Sequence, residues 1–356
     1  MESGWKNNFG LLRLFFASLV IVSHAPILID GNQSREIVIG GTLNVGEIAV
    51  DGFFLVSGYL ITQSFAYNAS VRDYVVKRVL RIYPAFIIAN MILLLVVAPL
   101  VGGGTPWTLH DALQDGAKMM MLLPPSRHGA FEGIPLPILD GAMWTIAFEF
   151  RCYLMVIALA LLGFLKRPLL IAGVAFVLLF GVSLQIIPKY KLGMLYDLSI
   201  NARLTGVFLV GVFFYLLRNQ ISYRNDIAAV VSIVLCVLMF FRATAEPAFA
   251  VCGGYLVFWL AFFAPLKPVS AKIKDDISYG LYLYAWPITN MLIYYKIIHS
   301  PWVMTAATFV AASLCGFVSW HLVEKPFLRL KPKAAPEIYT PENIIIANYK
   351  AQPPLH

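Results

Sequence analysis

The stretch LLRLFFASLVIVSHAPIL, residues 11–28, carries two ionisable side chains, Arg13 and His24, among residues that are otherwise uncharged and mostly apolar. A helix rises about 1.5 Å per residue, so this spacing corresponds to about 16 Å along the helix axis, roughly half the thickness of the hydrocarbon core of a bilayer. Ionisable residues inside a membrane helix are costly and therefore indicate a functional site. Arg13 also has a second interpretation, in which its long side chain extends to the cytoplasmic interface.

The composition of the whole chain is that of a membrane protein. Of its 356 residues, 60% are hydrophobic and only 13% are charged, and the mean hydropathy is +0.76. The net charge of +8 does not indicate a nucleic-acid binder, because the basic residues stand at the ends of apolar stretches. The four cysteines fall within apolar stretches, so we expect neither a disulfide framework nor a metal site.

Apolar stretches long enough to span a bilayer recur along the chain and predict an all-α, polytopic membrane protein of about ten transmembrane helices. They cover residues 9–29, 46–67, 80–101, 143–165, 168–187, 203–217, 226–241, 247–265, 277–298 and 302–322. With both termini in the cytoplasm, about twice as many lysine and arginine residues fall on the cytoplasmic side as on the other. This asymmetry favours that orientation.

Two polar segments complete the predicted organisation. Residues 1–330 form the membrane domain, and residues 331–356 form a cytoplasmic tail whose proline-rich, polar composition is typical of disorder. The longest outside segment, 102–142, contains TLHDALQDGAKMMMLLPP, which suits either a helix at the membrane interface or a covering loop without a binding role.

Asp51 and Ser57 lie in VDGFFLVSGYLI, residues 50–61, near the predicted outer end of the second helix. A carboxylate beside a histidine fixes the tautomer of the ring and raises its basicity, which makes Asp51 a candidate partner of His24. The alternative is that Asp51 is an exposed N-cap of its helix.

Arg78 and Arg81 lie in KRVLRIYPAF, residues 77–86, at the predicted cytoplasmic end of the third helix. Their spacing of three places them on one helix face, as a clamp for phosphate oxygens requires. A positive-inside anchor is the other interpretation.

Further polar residues stand in MWTIAFEFRCYL, residues 143–154, and in DDISYGLYLYAWPI, residues 275–288. Glu149 can share a proton with an imidazole or stabilise its cationic form. Arg151 faces a different direction from Glu149 and needs a separate partner. Tyrosines such as Tyr282 offer hydroxyl groups to a pocket.

Taken together, these motifs resemble a known family, the membrane acyltransferases of family three, which acylate bacterial surface glycans. The resemblance is carried, from residue 13 to residue 326, by Arg13 with His24 (R-x10-H), VDGFFLVSGYLI, KRVLRIYP, WTIAFEFRCYL, SYGLYLYAWP and a final EKP. One position departs from the family pattern: Ala285 stands where many members have a histidine, so the burden of base catalysis falls on His24.

The resemblance implies transfer of an acyl group, commonly acetyl from acetyl-CoA, to a sugar hydroxyl at the bacterial inner membrane. It implies that His24, Asp51 and Glu149 are catalytic and that Arg13, Arg78 and Arg81 bind the donor, with the coenzyme phosphates near Arg78 and Arg81. We assign acceptor binding to Ser57, Trp144, Arg151, Tyr282 and Trp286.

The expected partners are membrane lipid, acyl-CoA and a glycan or lipid-linked oligosaccharide, such as an exopolysaccharide or lipopolysaccharide unit. We expect His24 to act as a general base. A covalent acyl-enzyme through His24 or Ser57 is an alternative, less favoured for Ser57 because the sequence shows no adjacent base. A transporter of a lipid-linked sugar or small anion is the alternative function, because it would also place charged residues inside a bundle.

Overall fold

The computed structural model describes residues 7–32, 35–67, 70–103, 108–187, 198–273 and 275–332, which are mostly helical. The helices are α1 Phe9–Asp30, α2 Val45–Ala66, α3 Val71–Leu100, α4 Leu109–Met120, α5 Trp144–Leu161, α6 Pro168–Ser183, α7 Leu198–Leu216, α8 Asn225–Leu238, α9 Ala245–Phe262, α10 Lys267–Lys272, α11 Ser278–Tyr294 and α12 Pro301–Arg329. One antiparallel hairpin, β1 (Val38–Ile39) and β2 (Leu43–Asn44), separates α1 from α2. Helices α3, α9 and α12 each contain one π-helical turn, at Leu93–Val97, Phe249–Gly253 and Trp320–Glu324.

Seven of the helices in the described ranges, α1, α2, α3, α5, α7, α9 and α12, are long and apolar enough to cross a membrane. Helices α6 and α8 are apolar but shorter, and α11 has 17 residues. These ten helices occupy the ten predicted stretches, so the protein is a polytopic helical membrane protein. The count of ten spans and the side of each terminus stay predictions. The predicted tail from residue 333 onward lies outside the described residues.

Helix α4 forms in the segment that the sequence left open between an interfacial helix and a loop. Thr108 and Asp111 make a reciprocal capping box at its start, in which the Thr108 side chain accepts from the backbone N–H of Asp111 at 3.2 Å. The helical alternative is therefore correct in its secondary structure. Its position at an interface stays a prediction.

Helix α3 begins nine residues before the apolar stretch that predicted it. The Ser70 side chain caps the helix by accepting from the backbone N–H of Asp73 at 3.1 Å. Hydropathy marks only the apolar part of a helix, and α3 extends beyond that part through its charged first turns. Arg78 and Arg81 consequently lie inside the helix, two to three turns from its start.

Helices α1 and α11 run parallel, in a register set by two contacts. Arg13 Nη1 lies 2.7 Å from Asp276 Oδ2, and the ring centroids of His24 and Trp286 are 5.4 Å apart. Arg13 and His24 are 11 residues apart, and Asp276 and Trp286 are 10 residues apart, so the two separations along the sequence are nearly equal. Arg13 and His24 therefore stand at the same levels of the bundle as Asp276 and Trp286.

Helix α2 runs antiparallel to α1. Gly46 lies against Ser23, since a Cβ at Gly46 would be 2.8 Å from the Ser23 hydroxyl. At the other end of the pair, the rings of Phe9 and Tyr59 are 5.5 Å apart. This register places Ser57 near the first turns of α1, at the level of Arg13.

Close contact between α2 and α7 depends on two glycines. A Cβ added to Gly58 would collide with the carbonyl oxygen of Phe208 and would lie 3.0 Å from the Cα of Gly211. A Cβ at Gly211 would collide with the carbonyl oxygen of Leu55. Small residues allow membrane helices to approach this closely, where van der Waals contact between backbones drives association. Packing therefore explains the glycine after Ser57.

Replacing Gly58 with alanine should destabilise the protein by about 1–3 kcal/mol, because backbone atoms cannot move aside as a flexible side chain can. The thermal unfolding midpoint in detergent measures the effect. Gly173→Ala on α6 is the matched control, since a Cβ there meets nothing within 4 Å and alanine favours the helix by up to about 1 kcal/mol. Equal midpoints for the two variants would contradict the packing argument.

Candidate active site

Helices α1, α2, α3, α5 and α11 surround a cavity of about 110 Å³ that has both apolar and polar lining residues. Its polar lining consists of Arg13, Ser57, Arg78, Arg81, Thr145, Glu149, Tyr153, Ser278, Tyr279 and Tyr282. Six of the residues that the sequence singled out, from five motifs, thus come together in the lining of one cavity: Arg13, Ser57, Arg78, Arg81, Glu149 and Tyr282. The volume is enough for several water molecules or a narrow chain of a ligand.

Asp276 holds the arginine end of the cavity together. Its Oδ2 lies 2.7 Å from Arg13 Nη1 and 2.8 Å from Arg81 Nη2. Arg81 also pairs with Glu324 on α12 at 3.4 Å. Burial by itself would raise the pKa of Asp276, but Arg13 and Arg81 outweigh it and hold this pKa well below its usual range. Sequence reasoning did not select Asp276 or Glu324, although both lie in motifs that it quoted.

Arg78 differs from the other two arginines of the cavity because it has no carboxylate within ion-pair distance among the described residues. Its Nη2 donates to the Ser64 hydroxyl at 3.2 Å, and its guanidinium lies 5.8 Å from the ring centroids of Tyr74 and Tyr153. Its Nε is buried without a hydrogen-bond partner. Arg78 is therefore the arginine best placed to take an anionic group from outside the protein.

Glu149 makes its contacts inside the cavity. Its Oε1 accepts hydrogen bonds from Ser57 Oγ at 2.6 Å and from the Tyr153 hydroxyl at 2.6 Å. The position of Ser57 puts Glu149 at the level of Arg13, more than two helical turns from His24. The prediction that Glu149 shares a proton with the His24 imidazole or stabilises its cation is not supported by this position, because pairing across helices follows the level of each residue in the bundle.

Asp51 is fully buried and pairs with Arg203 on α7, whose Nη2 donates to Asp51 Oδ1 at 2.8 Å. Arg203 also contacts Glu47 at 3.3 Å and Glu246 at 3.0 Å. The prediction that Asp51 orients His24 is therefore wrong, and so is the N-cap alternative, since Asn44 caps α2. The guanidinium neutralises part of this acidic cluster and ties α2, α7 and α9 together. The sequence did contain a signal for this ion-pair cluster, because Arg203 is an arginine within an apolar helix.

His24 lies on α1 outside the lining of the cavity. Its ring meets the edge of Trp286 at an interplanar angle of 68°, one helical turn beyond Tyr282 on α11. The hydroxyl of Tyr282 bonds to Thr145 Oγ1 at 2.5 Å and to the carbonyl oxygen of Ala142. Arg13 thus lines the cavity and His24 does not, and Tyr282 is the lining residue of α11 nearest to Trp286.

Trp144 and Arg151, two of the predicted acceptor residues, point away from the cavity. The Trp144 ring packs against Phe148 at 5.4 Å. The Arg151 guanidinium lies 5.2 Å from the centroid of the Phe148 ring and donates to Asn201 at 3.3 Å. Arg151 lines a second cavity, of about 160 Å³, between α5 and α7. Side chains two positions apart on a helix leave it in different directions, which separates Arg151 from Glu149.

Asp140 is a buried carboxylate that sequence reasoning missed. It lies on the segment before α5, where its Oδ1 accepts from the backbone N–H groups of Ala142 at 2.7 Å and Met143 at 2.8 Å. Burial raises the pKa of Asp140 to about 7, although these two hydrogen bonds lower it. An aspartate directly before a predicted span was the signal that the sequence offered.

The bundle and its cavity define a multi-pass membrane protein with an internal site that carries three arginine side chains. The model of the family described as "Acyltransferase domain" matches residues 6–321, and the chain belongs to this family. This match confirms the resemblance found in the motifs. The protein is a membrane-bound acyltransferase.

Two relatives align over nearly their full length. The chain is 26% identical over 350 residues to the "O-acetyl transferase" of Shigella phage Sf6, covering 92% of this chain and 98% of that protein. It is 26% identical over 360 residues to "Nodulation protein 10" of Rhizobium leguminosarum bv. viciae, covering 93% and 95%. No solved structure matches this chain.

Proposed function

We propose that this acyltransferase transfers an acetyl group from cytoplasmic acetyl-CoA to a hydroxyl of a bacterial surface or lipid-linked glycan, with His24 as general base. The observation that carries the proposal is Arg78, a cation without a carboxylate partner among the described residues, in the wall of a cavity inside a membrane bundle. The relative named an O-acetyl transferase supports the acetyl group and the hydroxyl acceptor.

The donor end of the site follows from how the three arginines are paired. Arg13 and Arg81 share the carboxylate of Asp276, and Arg81 also pairs with Glu324. In the part of the chain that the structure describes, Arg78 instead contacts neutral groups, the Ser64 hydroxyl and two tyrosine rings. Guanidinium groups bind phosphate oxygens with good geometry, and the nucleotide of acetyl-CoA is rich in phosphate. We therefore place the phosphate contact on Arg78, and give Arg13 and Arg81 the role of shaping the mouth of the cavity.

The reacting end lies toward His24. Ser278 and Tyr282 are four residues apart on α11 and line the cavity, and Trp286 follows one turn later beside His24. The pantetheine arm would follow this helix face, and access to His24 requires the Tyr282 hydroxyl to leave its two partners. His24 then takes the proton of the acceptor hydroxyl as its oxygen attacks the thioester carbonyl, and passes that proton to the departing thiolate.

A covalent route through Ser57 gains one argument from the structure, because Glu149 is an adjacent base at 2.6 Å. Against it, Ser57 stands at the level of Arg13 and far from His24. The two routes differ in kinetics: an acyl-enzyme exchanges label between acetyl-CoA and free CoA without an acceptor. Direct transfer gives no exchange, which is the result we expect.

The decisive assay for the function uses membranes that contain the protein, acetyl-CoA, and lipid-linked glycans extracted from cells lacking the gene. We expect release of the CoA thiol that depends on the glycan, together with a new acetyl ester signal in the NMR spectrum of the glycan. A transporter would move its substrate unchanged. Glycan movement without thiol release would replace the proposed function with transport.

Replacing Arg78 with glutamine should raise the KM for acetyl-CoA by ~10–100-fold, since a hydrogen bond to a charged group contributes about 1.5–3 kcal/mol. S-acetylpantetheine, which lacks the nucleotide, should show a change of less than about twofold in the same variant. Arg224→Gln is the control, because Arg224 is exposed and paired with Asp226. An equal change for both donors would place the phosphates elsewhere.

A further inference from the structure

The segment Asp140–Ala142 and helix α11 meet beside His24. Gly141 lies directly against the indole of Trp286, because a Cβ at Gly141 would be only 2.9 Å from Trp286 Cε2 and would collide with the outer ring atoms. Asn290 ties the preceding segment to the same helix by donating to the carbonyl oxygens of Leu136 at 3.2 Å and Ile138 at 2.9 Å. These contacts hold the segment and the indole in one position.

Three buried polar atoms at this junction have no hydrogen-bond partner among the described residues: Asp140 Oδ2, Trp286 Nε1 and Asn290 Oδ1. The side chains are almost fully enclosed, since Asp140 is 5% exposed and Trp286 is 8% exposed. An unsatisfied buried polar atom is costly and rare in native proteins, and three at one place need an explanation. The two atoms nearest to His24 along the fold differ in kind, since Asp140 Oδ2 is an acceptor and Trp286 Nε1 is a donor.

The local backbone does not account for the second oxygen of Asp140. Oδ1 alone accepts both N–H groups of the turn before α5, so this structural role is complete without Oδ2. Likewise the indole of Trp286 could pack against Gly141 and His24 without its N–H. Each residue therefore has one polar atom that its structural role does not use, and that atom is free to bind a ligand: Oδ2 of Asp140 and Nε1 of Trp286.

We propose that Asp140 Oδ2 and Trp286 Nε1 bind the acceptor hydroxyl, or its neighbour on the same sugar ring, next to His24. A hydroxyl both donates and accepts, so one sugar can satisfy the carboxylate and the indole N–H together. The flat indole adds an apolar face of the kind that packs against a sugar ring. This inference rests on the proposed function and names the part of the chain that recognises the acceptor.

The levels of the bundle agree with this assignment. Trp286 and His24 share one level, whereas Arg13 and Asp276 share another, ten to eleven residues away along their helices. At about 1.5 Å per residue, the two levels are about 15 Å apart. With the donor phosphates at one level and the acceptor hydroxyl at the other, the pantetheine arm spans the distance between them and brings the thioester to the level of His24.

The test uses two variants that remove one polar atom each and keep the packing. Asp140→Asn retains Oδ1 for the two backbone N–H groups, because asparagine caps as well as aspartate, but presents a donor in place of Oδ2. Trp286→Phe keeps an aromatic ring and removes the N–H. The controls are Asp115→Asn, a buried aspartate of α4 that pairs with Lys118 at 3.7 Å, and Trp302→Phe at an exposed site.

Initial rates of CoA thiol release are measured against lipid-linked glycans that were extracted from cells lacking the gene and freed of esters with mild alkali. We expect Asp140→Asn to raise the KM for the glycan by ~10–100-fold and Trp286→Phe by ~3–10-fold. The KM for acetyl-CoA and the thermal midpoint should change little in either variant. Both control variants should keep the wild-type KM for the glycan and for acetyl-CoA.

Two outcomes overturn the inference. One is a glycan KM within twofold of wild type in both variants. The other is an equal rise in the KM for glycan and for acetyl-CoA, which would indicate a general structural role. If the wild type itself shows no glycan-dependent thiol release, the proposed function fails instead, and that result is visible before any variant is compared.

Discussion

Replacing His24 with alanine should lower the rate of acetyl transfer by about 10²–10⁴-fold, the usual contribution of a positioned general base. The fold should survive, because the only described ring contact of His24 is the edge of Trp286 and its side chain makes no hydrogen bond to another described residue. The KM for acetyl-CoA should stay near the wild-type value, since Arg13, at the donor end of the cavity, stands about 16 Å away along α1.

The measurement is the initial rate of glycan-dependent CoA thiol release in membranes matched for protein content. His299→Ala is the control, because His299 is exposed in the connection between α11 and α12. Undiminished transfer by the His24 variant would show that His24 is not the base. Glu149, which accepts a hydrogen bond from Ser57 in the cavity, would then be the candidate base.

Replacing Asp276 with asparagine should destabilise the protein by about 3–5 kcal/mol, the cost of breaking a buried ion pair by removing one partner. The lower end of this range is expected, because the side chains of Asp276 and Arg13 are 24% and 25% exposed. Both guanidinium groups bond to the same carboxylate oxygen, so Arg13 and Arg81 would face each other without a counter-charge. The donor mouth should lose its shape and the KM for acetyl-CoA should rise.

The neighbouring aspartate supplies a matched control. Asp275 pairs with Lys325 at 3.4 Å and accepts from Trp320 Nε1 at 2.8 Å, with its side chain 29% exposed. Asp275→Asn should cost about 0–1 kcal/mol, as is usual for partly exposed pairs. Thermal midpoints in detergent compare the two variants. Equal losses would show that Asp276 has no special role at the cavity.

The stability that Asp276 contributes should also depend on pH. The pKa of Asp276 lies below its unfolded value, because Arg13 and Arg81 outweigh the effect of burial. Its contribution to stability is therefore fully present above the unfolded pKa of about 3.9 and is lost as the pH falls below it. The difference between wild type and Asp276→Asn should be constant from pH 7 to pH 5 and should shrink below about pH 4.

The sequence predicted the helices well and their limits less well. Each of the ten apolar stretches contains a helix, because burial of apolar side chains and the demand for internal hydrogen bonds leave a membrane chain few other structures. Helix α3 starts at Val71, whereas hydropathy predicted a start at residue 80. Polar first turns carry no apolar signal, and a cap such as Ser70 marks the start instead.

The motifs named the correct parts of the chain but not the correct partners. Asp51 pairs with Arg203, 152 positions away, and Arg13 with Asp276, 263 positions away. Spacing along one helix specifies the level of a side chain and the face that it shares, but it contains no information about which other helix is adjacent. The acceptor junction at Asp140 was missed for the same reason.

Composition and the apolar stretches were thus sufficient to predict a polytopic helical membrane protein, with Arg13 and His24 half a bilayer apart on one helix, and the resemblance of its motifs to a known family predicted an acyltransferase. The packing of helices decided which charges neutralise each other, which arginine is left for a phosphate, and that Tyr282 stands between the cavity and His24. The reason is physical: transfer out of water depends on each residue's own chemistry, whereas ion pairs and hydrogen bonds depend on a second group that only the tertiary structure brings within 3 Å.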